Sequence, residues 1–221
     1  MLETAFPRPP GDVGHPATFA PLEVRARVVR GASPARIVGG RDPAWLEPFA
    51  AAVRSLADEG CDAVITSCGF LARHQRALAA RVAVPVWTSS LLLVPELDRA
   101  LGPGLRAGVL TVDAASLGAP ELEGAGARAD TPAAGLHPES AFRRTLLGDQ
   151  TVLDEAEAER STVDAARRLV AAHPEVGAIV LECTNMPPHA AAVRAATGLP
   201  VHDIVTLVRE RLARTHALET A

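Results

Sequence analysis

The sequence predicts an α/β fold built from two structurally similar halves. Short β-branched runs alternate with longer Ala-, Leu- and Arg-rich segments of helical period, the mark of a mostly parallel sheet. A strand–cysteine–helix–proline–strand pattern also occurs twice. Strands are expected over Val24–Val29, Asp62–Ser67, Val84–Thr88, Ala107–Val112, Gly177–Glu182 and Pro200–Val205, with a weaker one near Ala129–Ala134. Helices are expected over Ala44–Asp58, Phe70–Ala80, Leu92–Leu101, Thr151–Ala172, Pro188–Ala196 and from Ile204 to about Ala213. The long fourth helix carries Asp154, Glu155, Glu157 and Glu159 at its start and Arg167, Arg168 and His173 at its end, an order that suits the helix dipole.

The repeat is the strongest signal. Asp62-Ala-Val-Ile-Thr-Ser-Cys68 matches Gly177-Ala-Ile-Val-Leu-Glu-Cys183, both buried strands ending in cysteine. In each copy a proline, Pro85 or Pro200, follows its cysteine at the same offset of seventeen residues and opens the next strand. A shared cysteine and a shared proline at one offset argue for duplication.

Composition narrows the chemistry. The 221 residues are 48% hydrophobic and carry a formal net charge of −4, so the chain can bury a core and offers no footprint for phosphate backbones or anionic lipid. No nucleic-acid or membrane partner is expected, and no apolar run approaches the length of a bilayer span. The opening residues have neither a basic region nor a continuous apolar stretch of a secretory signal, so a cytoplasmic location is expected. All 22 basic residues are arginines. Without lysine there is neither a Schiff base for pyridoxal phosphate nor a P-loop lysine, and no well-placed GxGxxG follows a strand. No cofactor is expected.

Cys61, Cys68 and Cys183 do not match zinc spacings, and an odd number cannot fully pair. A cysteine ending a buried strand is, taken alone, a small hydrophobe, and Cys61 fits that description. His189 could complete a Cys/His site with Cys183, but Pro187 and Pro188 set its position rigidly and an ordinary histidine at a helix start accounts for it; no metal is expected. For Cys68 and Cys183 the repeat favours function. Ligand crevices lie beyond the carboxyl ends of parallel strands, so two facing halves aim both thiols at one cleft. Each precedes a helix, whose N-terminal N–H groups favour thiolate and bind carboxylate. Opposed thiols can take a proton from one face of a carbon acid and deliver one to the other. Ser89, Ser90 and His202 also lie at strand ends, where capping explains them about as well.

The motifs Thr66-Ser-Cys68-Gly-Phe70 and Leu181-Glu-Cys183-Thr-Asn185-Met-Pro-Pro-His189, with the loop Gly11-Asp-Val-Gly14-His-Pro-Ala-Thr18 and the strand Gly108-Val-Leu-Thr111, resemble the aspartate/glutamate/hydantoin racemase superfamily, which also contains maleate isomerases and arylmalonate decarboxylases. The resemblance covers nearly the whole chain. It implies two pseudo-symmetric three-layer α/β halves, each around a short parallel sheet, with the active site between them. Residues 1–88 with 201–221 would form the first half and 89–200 the second. It further implies Cys68 and Cys183 as catalytic thiols, with Asp12, Ser67, Gly69, Thr111, Thr184 and Asn185 binding substrate, Glu3 being the other choice for the acidic position of Asp12. The activity implied is a cofactor-independent two-cysteine racemase or isomerase acting on a small carboxylate, as a homodimer.

Several departures bear on that reading. Gly69 stands where the glutamate racemase pattern has asparagine, and Asn185 where that pattern has a histidine assisting the second thiol. Only Met1–Thr4 precedes the Phe6-Pro-Arg-Pro-Pro10 loop, where the family pattern begins with a fuller strand, so the start is expected to be placed late. A maleate isomerase-like or arylmalonate decarboxylase-like enzyme is the alternative of the same fold. A non-catalytic protein binding a small carboxylate is the alternative of another class.

Overall fold

The computed structural model describes residues 1–219, with side chains described through Arg214. The last two residues of the segment 201–221 lie outside the described residues.

The larger sheet holds β3 (Arg106–Thr111), β4 (Ala133–Gly135), β5 (Val176–Leu181) and β6 (Val201–His202) in the order β4-β3-β5-β6, all parallel. Its strands are apolar on both faces because both are covered. Leu110, Ile179 and Leu181 share a cluster with Leu169 of α7 (Glu155–Ala172), whereas Ala107, Val109 and Val180 join Val94 of α4 (Val94–Ala100) and Leu122 of α5 (Ala119–Gly124). This is a three-layer half.

The smaller sheet is a parallel pair, β1 (Val64–Ile65) and β2 (Val86–Trp87). Val64 and Val86 pack with Phe49, Val53 and Leu56 of α2 (Leu46–Asp58). Ile65 and Trp87 pack with Ile204, Leu207 and Val208 of α9 (Ile204–Glu219). The chain therefore pairs Val201 and His202 with Ile179 and Val180 in the larger sheet, then lays the following helix on the smaller one. Asp203 makes that switch: its Oδ1 accepts the Thr206 N–H at 2.8 Å and its carbonyl the Leu207 N–H at 3.0 Å, ending the strand expected to reach Val205 and starting α9.

The repeat is physical. The Pro85 carbonyl accepts the Val64 N–H and the Pro200 carbonyl accepts the Ile179 N–H, both at 2.9 Å. Each donor stands four residues before its cysteine. Beyond the cysteines, the Cys68 carbonyl accepts the Leu71 N–H and the Cys183 carbonyl the Met186 N–H, both at 3.1 Å. The 3-10 turns Gly69–His74 and Pro187–His189 then lead into α3 (Gln75–Ala79) and α8 (Ala190–Thr197).

One expected strand is corrected. Val24–Val29 is extended but unpaired, apart from a bridge between Leu2 and Val29. Its arginines hold it to the end of α2 instead: Arg25 Nη1 donates to the Glu59 carbonyl at 2.9 Å, and Arg27 pairs with the Glu59 carboxylate. Val24 and Val28 stay exposed.

Three short helices escaped the periodicity: α1 (Pro34–Val38), α5 and α6 (Ala141–Leu147). Each is too short to show an apolar stripe, though α6 is announced by Ser140, whose hydroxyl accepts the Arg143 N–H at 3.1 Å. The Glu157 carboxylate accepts the Ala141 and Phe142 N–H groups at 3.1 and 2.7 Å, locking α6 to α7. That lock matters because α6 walls the site. Among the described residues, no helix is long and apolar enough to cross a membrane.

Candidate active site

Both cysteine turns open on one cavity between the sheets. It is narrow, opens to solvent, and is lined by Ser67, Cys68, Gly69 and Phe70 from one turn and Glu182, Cys183, Thr184 and Asn185 from the other. Leu2, Phe6, Val38, Val112, Leu146 and Leu147 supply an apolar wall, and Arg8 reaches in from the N-terminal loop. The halves are tied beside the thiols by the Thr184 hydroxyl, which donates to the Ser67 carbonyl at 2.8 Å.

The thiol environments repeat as the backbone does. The Phe70 N–H donates to the Cys68 sulfur and the Asn185 N–H to the Cys183 sulfur, each from two residues on. These N–H groups favour thiolate, as expected from the sequence, but burial outweighs them. Burial first and the neighbouring Glu182 second push Cys68 up to about 12, and the same two causes push Cys183 well above its ordinary value. With no substrate bound, the cavity holds thiols.

Cys183 is the more tightly oriented. Its S–H donates to Asn185 Oδ1 at 3.6 Å, Asn185 Nδ2 donates to Asp12 Oδ2 at 2.6 Å, and Asp12 Oδ1 accepts from Arg8 Nη1 at 2.8 Å and from the Gly14 N–H at 2.7 Å. Asp12 stands behind the cavity lining and fixes the amide that holds the thiol. Glu3 is elsewhere, accepting the Gly31 N–H at 2.7 Å.

Thr111 is likewise set back from the cavity: its hydroxyl donates to Glu182 Oε2 at 2.7 Å. Ser89 accepts the Leu91 N–H at 3.1 Å as a helix cap, and His189 packs edge-on against Phe142 at 5.6 Å between centroids. Sequence reasoning missed the apolar wall of the cavity and both charged residues that line it. Arg8 could have been read from its spacing four residues before Asp12. Glu182 was visible as a lone charge closing the apolar run of β5, and was passed over for the cysteine beside it.

Glu182 is buried at 1% exposure, and burial raises its carboxyl to about 8, partly offset by the Thr111 hydrogen bond. Its Oε1 has no hydrogen-bond partner among the described residues. It lies against Gly69, where an added Cβ would come within 2.2 Å of Oε1 and 2.6 Å of the Glu182 carbonyl. Glycine after the first cysteine is therefore the room that Glu182 occupies. Gly69→Ala is expected to lower unfolding free energy by about 1–3 kcal/mol, the scale of overpacking at a tight site. Urea unfolding checks this, and an unchanged midpoint would mean that Glu182 moves aside freely.

The fold is that of the superfamily containing arylmalonate decarboxylase and the aspartate/glutamate racemases. A glycine-to-cysteine variant of arylmalonate decarboxylase in a sulfate-associated form matches with a TM-score of 0.57 at 20% identity, covering 91% of this chain and 84% of that one. Glutamate racemase from Aquifex pyrophilus matches at 0.52 and 18%, covering 86% and 74%. No family model matches. Among curated proteins, a dimethylsulfoniopropionate lyase of Durusdinium sp. clade D is 33% identical over 204 residues, 89% of this chain and 67% of that protein. Dimethylsulfoniopropionate lyase 3 of Emiliania huxleyi is 29% identical over 222 residues, 96% of this chain. The chain belongs to the dimethylsulfoniopropionate lyase family, and it spans 57% of the length of the Emiliania huxleyi relative.

These relatives correct the expected activity. An isomerase or racemase is expected from the paired thiols, but the curated relatives matched in sequence are named lyases, and the racemases share the fold alone. The physical reason is that one first step, removal of a proton next to a carboxylate, serves both reactions. The second step depends on whether the adjacent carbon carries a leaving group, and a cysteine motif does not record that.

Proposed function

We propose that this chain is a cofactor-independent lyase that cleaves dimethylsulfoniopropionate to dimethyl sulfide and acrylate, with Cys183 as the base. The observation that carries the reading is one cavity in which an oriented cysteine, two strand-to-helix turns and an apolar wall converge, in a chain of this family. The Cys183 thiolate removes a proton from the carbon next to the substrate carboxylate. The released electron pair forms the new C=C bond, and the bond from the adjacent carbon to sulfur breaks with its pair going to sulfur. Neutral dimethyl sulfide leaves, acrylate remains, and the thiol returns its proton to solvent.

The carboxylate end is held by the N–H groups of the two cysteine turns, at Gly69 and Thr184, with Ser67, Asn185 and Arg8 around them. These donors stabilise the charge that grows on the carboxylate as the proton leaves. Thr111 and Asp12 act through Glu182 and Asn185. Cys68 shapes the opposite side. The apolar wall of Phe6, Leu146 and Leu147 receives the methyl groups and keeps water from the carbanion-like centre. A small carboxylate as the only partner, the division into halves 1–88 with 201–221 and 89–200, and a homodimer belong to the same proposal.

Purified protein given dimethylsulfoniopropionate is expected to release dimethyl sulfide into the headspace, with equimolar acrylate by NMR. Acrylate without dimethyl sulfide, or neither product, would remove the reading.

A further inference from the structure

We propose that Glu182 is the counter-ion of a cationic leaving group, and that it makes the site select propionates whose third carbon carries a positively charged substituent. This deepens the lyase reading and rests on it for the orientation of the substrate.

The cavity offers a zwitterion two unlike ends. Its N–H groups and Arg8 suit a carboxylate, while the remaining wall is apolar except for Glu182. An apolar wall alone would receive a neutral branched alkyl group better than a sulfonium, because the cation must leave water behind. Glu182 offsets that cost. Its Oε2 is held by Thr111, which fixes the carboxylate, and its Oε1 is left with no partner in a place where a buried acceptor normally has one. Glu182 and Gly69, against which that oxygen lies, both line the cavity.

The neighbouring groups support the same role. Once ionised, Glu182 raises both thiols, so its negative charge hinders the very thiolates the reaction needs. A cation placed against Glu182 cancels that effect when substrate is present and not otherwise. The site then becomes basic only around a charged substrate. Its equivalent in the first copy of the repeat, Ser67, is neutral and engaged by the Leu2 N–H at 3.0 Å, so the carboxylate is particular to the second turn.

The test uses a matched pair of unreactive ligands, 3-(trimethylammonio)propionate and its uncharged isostere 4,4-dimethylpentanoate, with binding read by calorimetry. Wild type is expected to prefer the cation by at least about tenfold, the scale of one desolvated ion pair. Glu182→Gln is expected to abolish that preference while changing affinity for the neutral ligand less than about threefold. Glu182→Asp, which withdraws the charge by one methylene, is expected to fall between them and serves if the glutamine variant does not fold. Equal loss of both affinities would reveal a merely structural glutamate, and no preference in wild type would overturn the proposal outright. Dimethyl sulfide release without a cation preference would leave the lyase reading standing and remove the counter-ion. A cation preference without dimethyl sulfide would do the reverse.

Discussion

Cys183→Ala is expected to lower the rate of dimethyl sulfide release by about 100- to 10,000-fold, the contribution of a positioned general base. Cys68→Ala is expected to cost less than about tenfold, the effect of a small packing change rather than a lost base. The asymmetry comes from the reaction and from the site. A racemase needs a thiol on each face of the carbon because it must return a proton; an elimination ends when a neutral sulfide departs, and one base is enough. Of the two thiols, Cys183 alone has a side-chain anchor fixed by a charged network among the described residues, through Asn185, Asp12 and Arg8. Headspace chromatography of both variants, with melting curves to show that each is folded, checks the ordering. Equal losses from the two substitutions would sink the one-base mechanism.

The second large effect is on pH dependence. At low substrate concentration the rate is expected to climb by nearly tenfold per pH unit between about pH 6 and 8, with no plateau at the ordinary thiol pKa of about 8.5. Cys183 is raised, so at neutral pH the thiolate is the minor form and each unit of alkalinity multiplies it tenfold until the raised pKa is reached. Glu182 opposes thiolate at both positions, Cys68 and Asp12 add to that at Cys183, and Arg73 and Arg8 favour thiolate at Cys68. Glu182 itself ionises near pH 8, which draws in a cationic substrate but raises both thiols. Glu182→Gln removes that second titration, so its profile should show a single ionisation. A flat profile in wild type from pH 6 to 8 would mean that the base is already ionised.

The local part of the fold was legible. Buried strands that end in Cys68 and Cys183 and restart at Pro85 and Pro200 encode the same hydrogen bonds in both copies, because strand, turn and proline are all set within about twenty residues of chain. The same pattern brought the two thiols to one cavity. Val24–Val29 misled because alternation announces a strand only where a neighbouring backbone exists to pair with it, and Arg25 and Arg27 found Glu59 instead. The short helices α1, α5 and α6 were invisible to a periodicity that needs several turns to register.

What the sequence determined by itself was the class of fold, the duplication and the two cysteine turns, each the product of neighbours along the chain. Tertiary structure decided how that chemistry is set. Glu182 became a buried carboxylate beside both thiols only because Gly69, from the other half, lacks a Cβ where its oxygen lies. Asp12 was drawn 173 residues across the fold to hold Asn185. Burial then reversed the thiolate that helix-end N–H groups alone would favour, since desolvation acts on the whole surroundings of a charge while those donors act on one side of it.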